Sequence, residues 1–253
     1  MHGLILAGGE GSRLQRDGIR VAKPLVEVGG RPQIVRLVET LFAIGCESVT
    51  CLVRDTMSEV EEVLRNEPGT QKAAVRWCNT PSSLHTLAEG FRNVPPGPVF
   101  CTMTDTVMKP ADWRRLFTET RRALEAGADV VLAVTPYVDD ERPLYVERNG
   151  QGLATRIGSL PTNPPIVTGG VYGWSAAIRP EADRACKEGM ERMRAFLERL
   201  VTSGHRVSTV EIDRIIDLDG RRDLEQAKAW VSATWGRPAP HTPLPSGEEP
   251  PRL

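Results

Sequence analysis

The residues best suited to chemistry lie close to the start of the chain, directly after a short apolar run. They are three glycines and two cations: Gly8, Gly9, Gly11, Arg13 and Lys23. Glycines let a loop turn through positive φ and let backbone N–H groups approach an anion without a Cβ in the way. With fixed positive charge from an arginine and a lysine, the pattern predicts a binding site for a triphosphate.

The loop matches neither of two common phosphate-binding fingerprints, because it lacks a final G-K-S/T and does not fit G-x-G-x-x-G opening directly into a helix. A basic, loop-like stretch over residues 15–20 follows the glycines instead. The combined pattern L-A-G-G-x-G-x-R-L, then K-P-L-x-x-V-x-G-x-P, resembles the nucleotidyltransferases that join an NTP to a sugar 1-phosphate or another phosphorylated small molecule, including the MobA-like NTP transferase domain. The resemblance is clearest from Met1 to about Asp105 and returns near the C-terminal end.

The resemblance implies roles for these residues. Arg13 and Lys23 would be catalytic, with Arg13 on the β- and γ-phosphates and Lys23 beside the α-phosphate and the acceptor. The implied nucleotide-binding residues from this stretch are Leu6, Ala7, Gly8, Gly9, Gly11 and Ser12.

Asp105 follows a predicted buried strand over residues 98–103. A carboxylate there emerges at the ligand edge of a parallel sheet, where it could hold a divalent metal. In the resembling family an acid at this place binds Mg²⁺, so we expect Mg²⁺ as the cofactor. The alternative is that Asp105 only caps the turn into the next helix.

The partner acid is expected near the C-terminal end, where Asp217 and Asp219 precede a D-L-E segment that looks like the closing segment of the family. On an extended backbone, residues two apart share one face, so both carboxylates could reach one metal. Asp219 is the first choice as ligand, and Asp217 could instead support it. The alternative is that one of them caps the last helix.

Ser82 and Ser83 are natural N-caps for a helix over residues 83–91. The family commonly places small hydroxyl residues here to bind the base or ribose, so both serines are candidate nucleotide contacts. His85 lies in an otherwise apolar helix, where a packed histidine is more common than a catalyst.

The acceptor site matches the family least well. Many members carry a Glu-Lys pair and an Asn-x-Gly in the second half, where this chain has Arg156 and the pair Gly169 and Gly170. Arg156 could replace the lysine as a phosphate contact, and the two glycines could let the backbone approach the acceptor. The sequence leaves the acceptor open between a sugar phosphate and a non-sugar phosphate or phosphonate, and it leaves the nucleobase open as well.

Composition fits an ordinary globular enzyme. The formal net charge of −1 gives no basic field for nucleic acid, which we do not expect as a partner. Five scattered cysteines form neither a metal spacing nor a disulfide framework, and no signal peptide or membrane span is recognisable. We therefore expect a cytoplasmic protein without a membrane partner; the sequence does not indicate its oligomeric state.

Apolar runs of strand type alternate with helix-type segments, which predicts a mostly parallel sheet covered on both faces. With the resemblance, this gives an α/β fold: a Rossmann-like, three-layer α/β/α sandwich of the nucleotide-diphospho-sugar transferase, GT-A-like kind. A single domain is expected over residues 1–235, with a long helical region over 180–203. The Pro-rich residues 236–253 are expected to form a flexible tail.

The sequence thus predicts a nucleotidyltransferase that uses an NTP and a phosphorylated small molecule and releases pyrophosphate. Two alternatives stay open. One is a metal-dependent glycosyltransferase, although such enzymes usually show two acids separated by one residue where this chain has Asp105 and Val107. The other is a non-catalytic, nucleotide-binding regulatory subunit.

Overall fold

The computed structural model describes residues 1–235, and within them nine strands form one sheet. The strands are β1 (His2–Ala7), β4 (Val49–Arg54), β5 (Ala74–Cys78), β6 (Val99–Met103), β8 (Val130–Thr135), β9 (Tyr145–Arg148), β10 (Ala154–Gly158), β11 (Val167–Trp174) and β12 (Val207–Glu211). Strands β5, β4, β1 and β6 are neighbours in that order and parallel, and β8 is parallel to β12. Strand β11 joins the two parallel groups, since it pairs antiparallel with both β6 and β8.

Helices cover both faces of the sheet. They are α1 (Ser12–Arg16), α2 (Gln33–Ala43), α3 (Ser58–Asn66), α4 (Ser83–Asn93), α5 (Pro110–Glu125), α6 (Ile178–Lys187), α7 (Met193–Thr202) and α8 (Arg221–Thr234). Leu4 and Leu6 of β1 pack with α4, α6 and α7, whereas Ile5 and Ala7 pack with α2, α3 and α5. This alternation is the period of two of a strand buried on both faces. The expected three-layer α/β/α sandwich is confirmed.

A third, smaller core lies under α8 and anchors the site. It combines Leu14 of α1, Leu224 of α8 and residues of the short strands β2 (Glu27–Val28), β7 (Thr106–Val107) and β13 (Ile216–Asp217). Strand β2 pairs with β3 (Arg31–Pro32), and β7 pairs antiparallel with β13. Residues far apart in the sequence are thereby brought to one end of the sheet.

Three details differ from the sequence expectations. The stretch after the glycines is not wholly a loop, because α1 begins at Ser12 and packs Leu14 into the third core. The expected long helix over 180–203 is two helices, α6 and α7, because the chain leaves the helix after Lys187 with Gly189 at a φ of 84°. The antiparallel hairpin of β9 and β10 was not expected, because its residues are half exposed and polar.

The predicted tail over residues 236–253 lies outside the described residues. In the described part of the chain, no helix combines the length and apolar character needed to cross a membrane.

Candidate functional site

The glycine loop leaves β1 beside the end of β6. Leu6 pairs with Met103 in the sheet, and the N–H of Thr104 donates to the carbonyl oxygen of Leu6 at 3.1 Å. Leu6 and Ala7 are buried at the end of the strand, and the loop that starts at Gly8 therefore begins next to Asp105. This is the carboxyl edge of the parallel strands, where ligands of such sheets bind.

The three glycines of the loop differ in the space around them. A Cβ on Gly8 would lie 3.3 Å from Sγ of Cys78, so this residue packs closely against the protein, whereas a Cβ on Gly9 would meet nothing within 4 Å. Gly11 has a φ of 64°, and its Cβ would lie 3.0 Å from Cβ of Lys23. The second half of the motif therefore packs directly on the first.

The backbone of the loop is open to an anion. Within residues 1–235, the N–H groups of Gly9, Glu10 and Gly11 have no hydrogen-bond acceptor. Arg54, at the end of β4, fixes the loop from behind, because its Nε donates to the carbonyl oxygen of Gly8 at 3.2 Å and its Nη1 lies 3.3 Å from Oε1 of Glu10. Sequence reasoning missed Arg54, although a charged residue at the carboxyl end of a parallel strand is a usable signal.

Lys23 is at the centre of the site. It begins a short 3₁₀ helix, Lys23–Leu25, in which Pro24 is buried. Its Nζ donates to Oδ2 of Asp105 at 2.6 Å and to Oδ1 of Asp219 at 3.1 Å. Burial by itself would lower the pKa of Lys23, but the charges and hydrogen bonds of the two aspartates outweigh it and raise this pKa above its ordinary value.

Arg13 completes the cluster. Its Nη1 donates at 3.0 Å to Oδ2 of Asp219, the oxygen that Lys23 does not use. Asp219 therefore accepts from both of the predicted catalytic cations. The structure brings together Arg13, Lys23, Asp105 and Asp219 from three distant parts of the sequence.

Asp105 and Asp219 are brought together by backbone pairing. The β7–β13 pair aligns Thr106 with Asp217, and the N–H of Leu218 donates to the carbonyl oxygen of Asp105 at 3.0 Å. Neither aspartate caps a helix in the way the alternatives supposed. Helix α5 has Lys109 at its N-cap position, and Oδ2 of Asp223 accepts the N–H of Gly220 at the start of α8.

Asp217 has a different environment from Asp219. The two were expected to share a face of an extended backbone, but the backbone turns between them, because the N–H of Asp219 donates to the carbonyl oxygen of Asp217 at 3.0 Å. Oδ1 of Asp217 is buried and has no hydrogen-bond partner within residues 1–235. Burial, and then the charges of Asp105 and Asp219, raise the pKa of Asp217 well above its ordinary value.

The carboxylates suit a hard divalent cation. Mg²⁺ prefers oxygen ligands and is usually held by one or two carboxylates together with substrate phosphates. Asp105 and Asp219 offer this set, and the ammonium group of Lys23 between them shows that the position attracts a cation. No group of three or more His, Cys, Asp or Glu side chains in the described residues forms a metal cluster. Metal binding here would therefore need oxygens from the nucleotide.

A cavity of about 850 Å³ opens beside this cluster. Arg13, Asp105, Asp217 and Asp219 line one side of it. Another part of the lining, the charged wall, comes from the β8–β9 loop and the start of α7, with residues of both signs: Asp139, Asp140, Glu141, Arg142, Arg192 and Arg194. Sequence reasoning missed this wall, because nothing local in the sequence indicates that these two segments line the same cavity as Arg13 and Asp105.

The three predicted acceptor residues do not lie together in the structure. Gly169 and Gly170 line the cavity, but both also pack tightly, since a Cβ on Gly169 would lie 2.2 Å from Cδ1 of Ile215 and one on Gly170 would lie 2.8 Å from Oγ1 of Thr106. Arg156 is not at the cavity. It lies on the β10 edge of the sheet, where its Nε donates to Oε2 of Glu147 at 2.9 Å.

The two serines have structural partners. Oγ of Ser82 accepts the N–H of His85 as the N-cap of α4 and bonds Nδ1 of the same residue at 2.8 Å. Oγ of Ser83 accepts the N–H of Met193 at 3.0 Å, which joins α4 to α7, and Ser83 lines the cavity. Ser12 is exposed as the first residue of α1. Nucleotide contact stays a prediction for all three.

Solved structures similar in fold include an inositol-1-phosphate CTP transferase from T. maritima, with a TM-score of 0.74 and 15% identity over 91% of this chain and 96% of that one. Another, from Bacillus anthracis and named after the glucose-1-phosphate thymidylyltransferases, has a TM-score of 0.77 and 16% identity over 91% of this chain and 94% of that one. At this identity the likeness shows the fold alone.

Curated relatives match over shorter segments. A mannose-1-phosphate guanyltransferase from Kluyveromyces lactis is 42% identical over 65 residues, which cover 26% of this chain and 18% of the relative. A CMP-5'-(3-aminopropyl)phosphonate synthase from Streptomyces rubellomurinus is 29% identical over 154 residues, 55% of this chain and 24% of the relative. The matches thus span less than a third of either relative.

The match to a family model is much longer than these segments. The model of the MobA-like NTP transferase domain covers residues 3–205, from the first strand through the glycine loop and Asp105 to the end of α7. The chain therefore belongs to the family of MobA-like NTP transferase domains.

Proposed function

We propose that this chain is a Mg²⁺-dependent nucleotidyltransferase that transfers a nucleoside monophosphate from an NTP to a small phosphate or phosphonate and releases pyrophosphate. The observation that carries the proposal is the position of Lys23 between Asp105 and Asp219, with Arg13 on the second oxygen of Asp219. Two cations and two carboxylates beside an open glycine loop are the groups that phosphoryl chemistry needs.

In this reaction the residues of the chain mainly position the two substrates and neutralise the negative charge of their phosphates. The free N–H groups of residues 9–11 and the guanidinium of Arg13 bind the β- and γ-phosphates, and Lys23 stabilises negative charge at the α-phosphate. An oxygen of the acceptor forms the new bond to the α-phosphorus, and the bond to the leaving pyrophosphate breaks. When bound by Asp105 and Asp219, Mg²⁺ supplies further neutralisation of the triphosphate.

The charged wall of the cavity supports a small polar acceptor. Arg142 and Arg192 line it without an acidic partner within 4.0 Å in the described part of the chain, and Arg194 lies 3.2 Å from Oδ2 of Asp140. These groups suit an acceptor that carries a phosphate or phosphonate. The relatives act, by name, on mannose 1-phosphate and on an aminopropyl phosphonate, so both classes belong in the test.

We also place the enzyme in the cytoplasm. The five cysteines are all free thiols, and four of them are buried. Free thiols without disulfides are typical of reducing compartments.

The experiment is a screen of the purified chain for pyrophosphate release. ATP, GTP, CTP, UTP and dTTP are each combined with Mg²⁺ and with glucose 1-phosphate, mannose 1-phosphate, inositol 1-phosphate or 3-aminopropylphosphonate. Release that needs the NTP, the acceptor and the metal together is the expected result. Chelation of the metal with EDTA should abolish it, and excess Mg²⁺ should restore it.

The two alternatives give different outcomes in the same assay. When a sugar nucleotide replaces the NTP, a glycosyltransferase would consume it and release a nucleotide without pyrophosphate. A regulatory subunit would bind an NTP, detected by a rise in melting temperature, and would turn over none of the combinations. Either result would contradict the proposal.

A further inference from the structure

Asp17 and Arg221 join the two ends of the chain beside the site. Oδ2 of Asp17 accepts the backbone N–H of Arg221 at 2.8 Å, and the carbonyl oxygen of Asp17 accepts from Nε and Nη2 of Arg221 at 3.2 and 2.5 Å. These three hydrogen bonds span 204 positions of sequence. We call this contact the Asp17–Arg221 latch.

Each half of the latch adjoins a residue of the site. Asp17 follows α1, and its N–H donates at 3.0 Å to the carbonyl oxygen of Arg13, so it ends the helical turn that carries Arg13. Arg221 is the first residue of α8 and follows Asp219 after a single residue, Gly220. The latch therefore holds together the two backbone segments whose side chains form the Arg13–Asp219 ion pair.

The residue between Asp219 and Arg221 fits this contact. A Cβ on Gly220 would lie 3.0 Å from Oδ2 of Asp17, so a side chain at position 220 would require this oxygen to move by a few tenths of an ångström. Asp223 completes the turn from the other side, because its Oδ2 accepts the N–H groups of Asp219 and Gly220 at 3.2 and 2.8 Å. The acidic groups of Asp17 and Asp223 also face the positive end of the α8 dipole.

The latch is exposed to solvent, which limits how much it can add to the stability of the fold. Asp17 and Arg221 are both on the surface, where water competes for the same groups and a hydrogen bond typically adds only about 1 kcal/mol to stability. The third core and the β7–β13 pair already hold the fold of this region. Packing in the third core, which includes Leu14 and Leu218, brings α1 to the turn that carries Asp219, but apolar packing is not directional, whereas the hydrogen bonds of the latch are.

We infer that Asp17 and Arg221 are positioning residues, which hold Arg13 and Asp219 at the spacing that the metal–nucleotide complex needs. The inference rests on the proposed function. Displacement of a catalytic group by about 1 Å can cost up to about 100-fold in rate, so a contact of little weight for stability can carry much weight for turnover.

The test compares Asp17→Ala, Asp17→Asn and Arg221→Ala with the unchanged chain. Asparagine keeps an oxygen that can accept the N–H of Arg221, whereas alanine does not. The matched control is Asp183→Ala, because Asp183 is also a half-exposed aspartate that accepts from a distant arginine, Arg92, at 2.5 Å but lies outside the site. Turnover, KM for the NTP, the Mg²⁺ concentration for half-maximal rate, and the melting temperature are measured for each.

We expect Asp17→Ala and Arg221→Ala to lower kcat by about tenfold or more and to raise the half-maximal Mg²⁺ concentration severalfold. Asp17→Asn should stay within about threefold of the unchanged chain, and Asp183→Ala should change neither quantity. Equal kcat and equal Mg²⁺ dependence in Asp17→Ala would overturn the inference, as would a loss of rate that only follows a loss of folded protein.

A second readout separates this inference from the proposed function. If the unchanged chain releases no pyrophosphate with any combination, the proposed function fails, and the rise in melting temperature on adding Mg²⁺ and NTP is compared instead. A smaller rise in Asp17→Ala than in Asp183→Ala supports the latch. An equal rise in the two variants, or none in the unchanged chain, overturns it.

Discussion

The Nζ atom of Lys23 lies 2.6 Å from Oδ2 of Asp105, and this contact joins the second half of the glycine motif to the end of β6. The same nitrogen contacts Asp219, so one buried ammonium group compensates two carboxylates. Without the lysine, Asp105 would have no cationic partner among the described residues, and Asp219 would keep Arg13. Under the proposed function, Lys23 and Mg²⁺ would share the same two carboxylates.

Lys23→Ala should nearly abolish pyrophosphate release, by about 100-fold or more, because the charge nearest the reacting phosphate is lost. The variant should stay folded, and its melting temperature should rise more on adding Mg²⁺ than that of the unchanged chain, because the bare carboxylates gain a counter-ion. The control is Lys72→Ala, at an exposed lysine. Unchanged turnover in Lys23→Ala would refute its role.

Asp219→Asn should weaken the use of Mg²⁺, whereas Asp217→Asn should change how stability depends on pH. Asp219→Asn removes a charge that contacts two cations and should raise the Mg²⁺ requirement severalfold or more.

The raised pKa of Asp217 means that its neutral form is favoured in the folded state. The ionised carboxylate of Asp217 therefore costs no stability at acidic pH. This cost grows as the pH rises from the ordinary carboxyl pKa towards the raised pKa. Denaturant titrations from pH 4 to 8 should show a shallower loss of stability with pH in Asp217→Asn; an identical slope would contradict this.

Gly11→Ala should damage both stability and turnover. A left-handed backbone with an added Cβ costs about 1–2 kcal/mol, and the contact at 3.0 Å would push Lys23 away from the aspartates. Gly69→Ala is the matched control, since Gly69 has a φ of 87° and open space around it. The control should lose similar stability but keep its activity; a similar loss of turnover in both would show that Lys23 is not displaced.

Arg194→Ala should raise KM for the acceptor by about tenfold, with little change in KM for the NTP, because Arg194 belongs to the charged wall of the cavity that is proposed to bind the acceptor. Arg156→Ala should leave both constants within about twofold, since its guanidinium pairs with Glu147 on the sheet edge. Initial-rate measurements with each substrate varied in turn check this. A larger rise of the acceptor KM in Arg156→Ala than in Arg194→Ala would instead favour an acceptor site at Arg156.

Much of the nucleotide side of the site could be predicted from the sequence. Gly8, Gly9 and Gly11 follow a strand whose apolar residues are unbroken, and Asp105 follows another, so local pattern and parallel-sheet geometry sufficed to place them at one edge. The prediction that Asp105, Asp219, Arg13 and Lys23 converge needed the family resemblance. Nothing in their spacing alone joins position 23 to position 219.

The acceptor side could not be predicted in the same way. Arg194 of α7 meets Asp140 of the β8–β9 loop, a contact between a helix and an irregular loop that local sequence patterns do not indicate. Arg156 was chosen because its type matched a family lysine, but in the described part of the chain β10 lies at the edge of the sheet beside β9, and Arg156 does not line the cavity. Likewise, Asp17 and Arg221 look like ordinary surface charges until the third core brings α1 and α8 together.

Strand β11 has a consequence for how such domains diversify. It pairs with β6 along residues 171–174 and with β9 where Val167 meets Tyr145, next to a hydrogen bond from the N–H of Thr168 to the carbonyl oxygen of Leu144. The β8–β9 loop thus leads into the hairpin at one edge of the sheet, whereas Asp105 follows the central strand β6. Under the proposed function, a change in this one loop could alter the choice of acceptor and leave the glycine loop and Asp105 untouched.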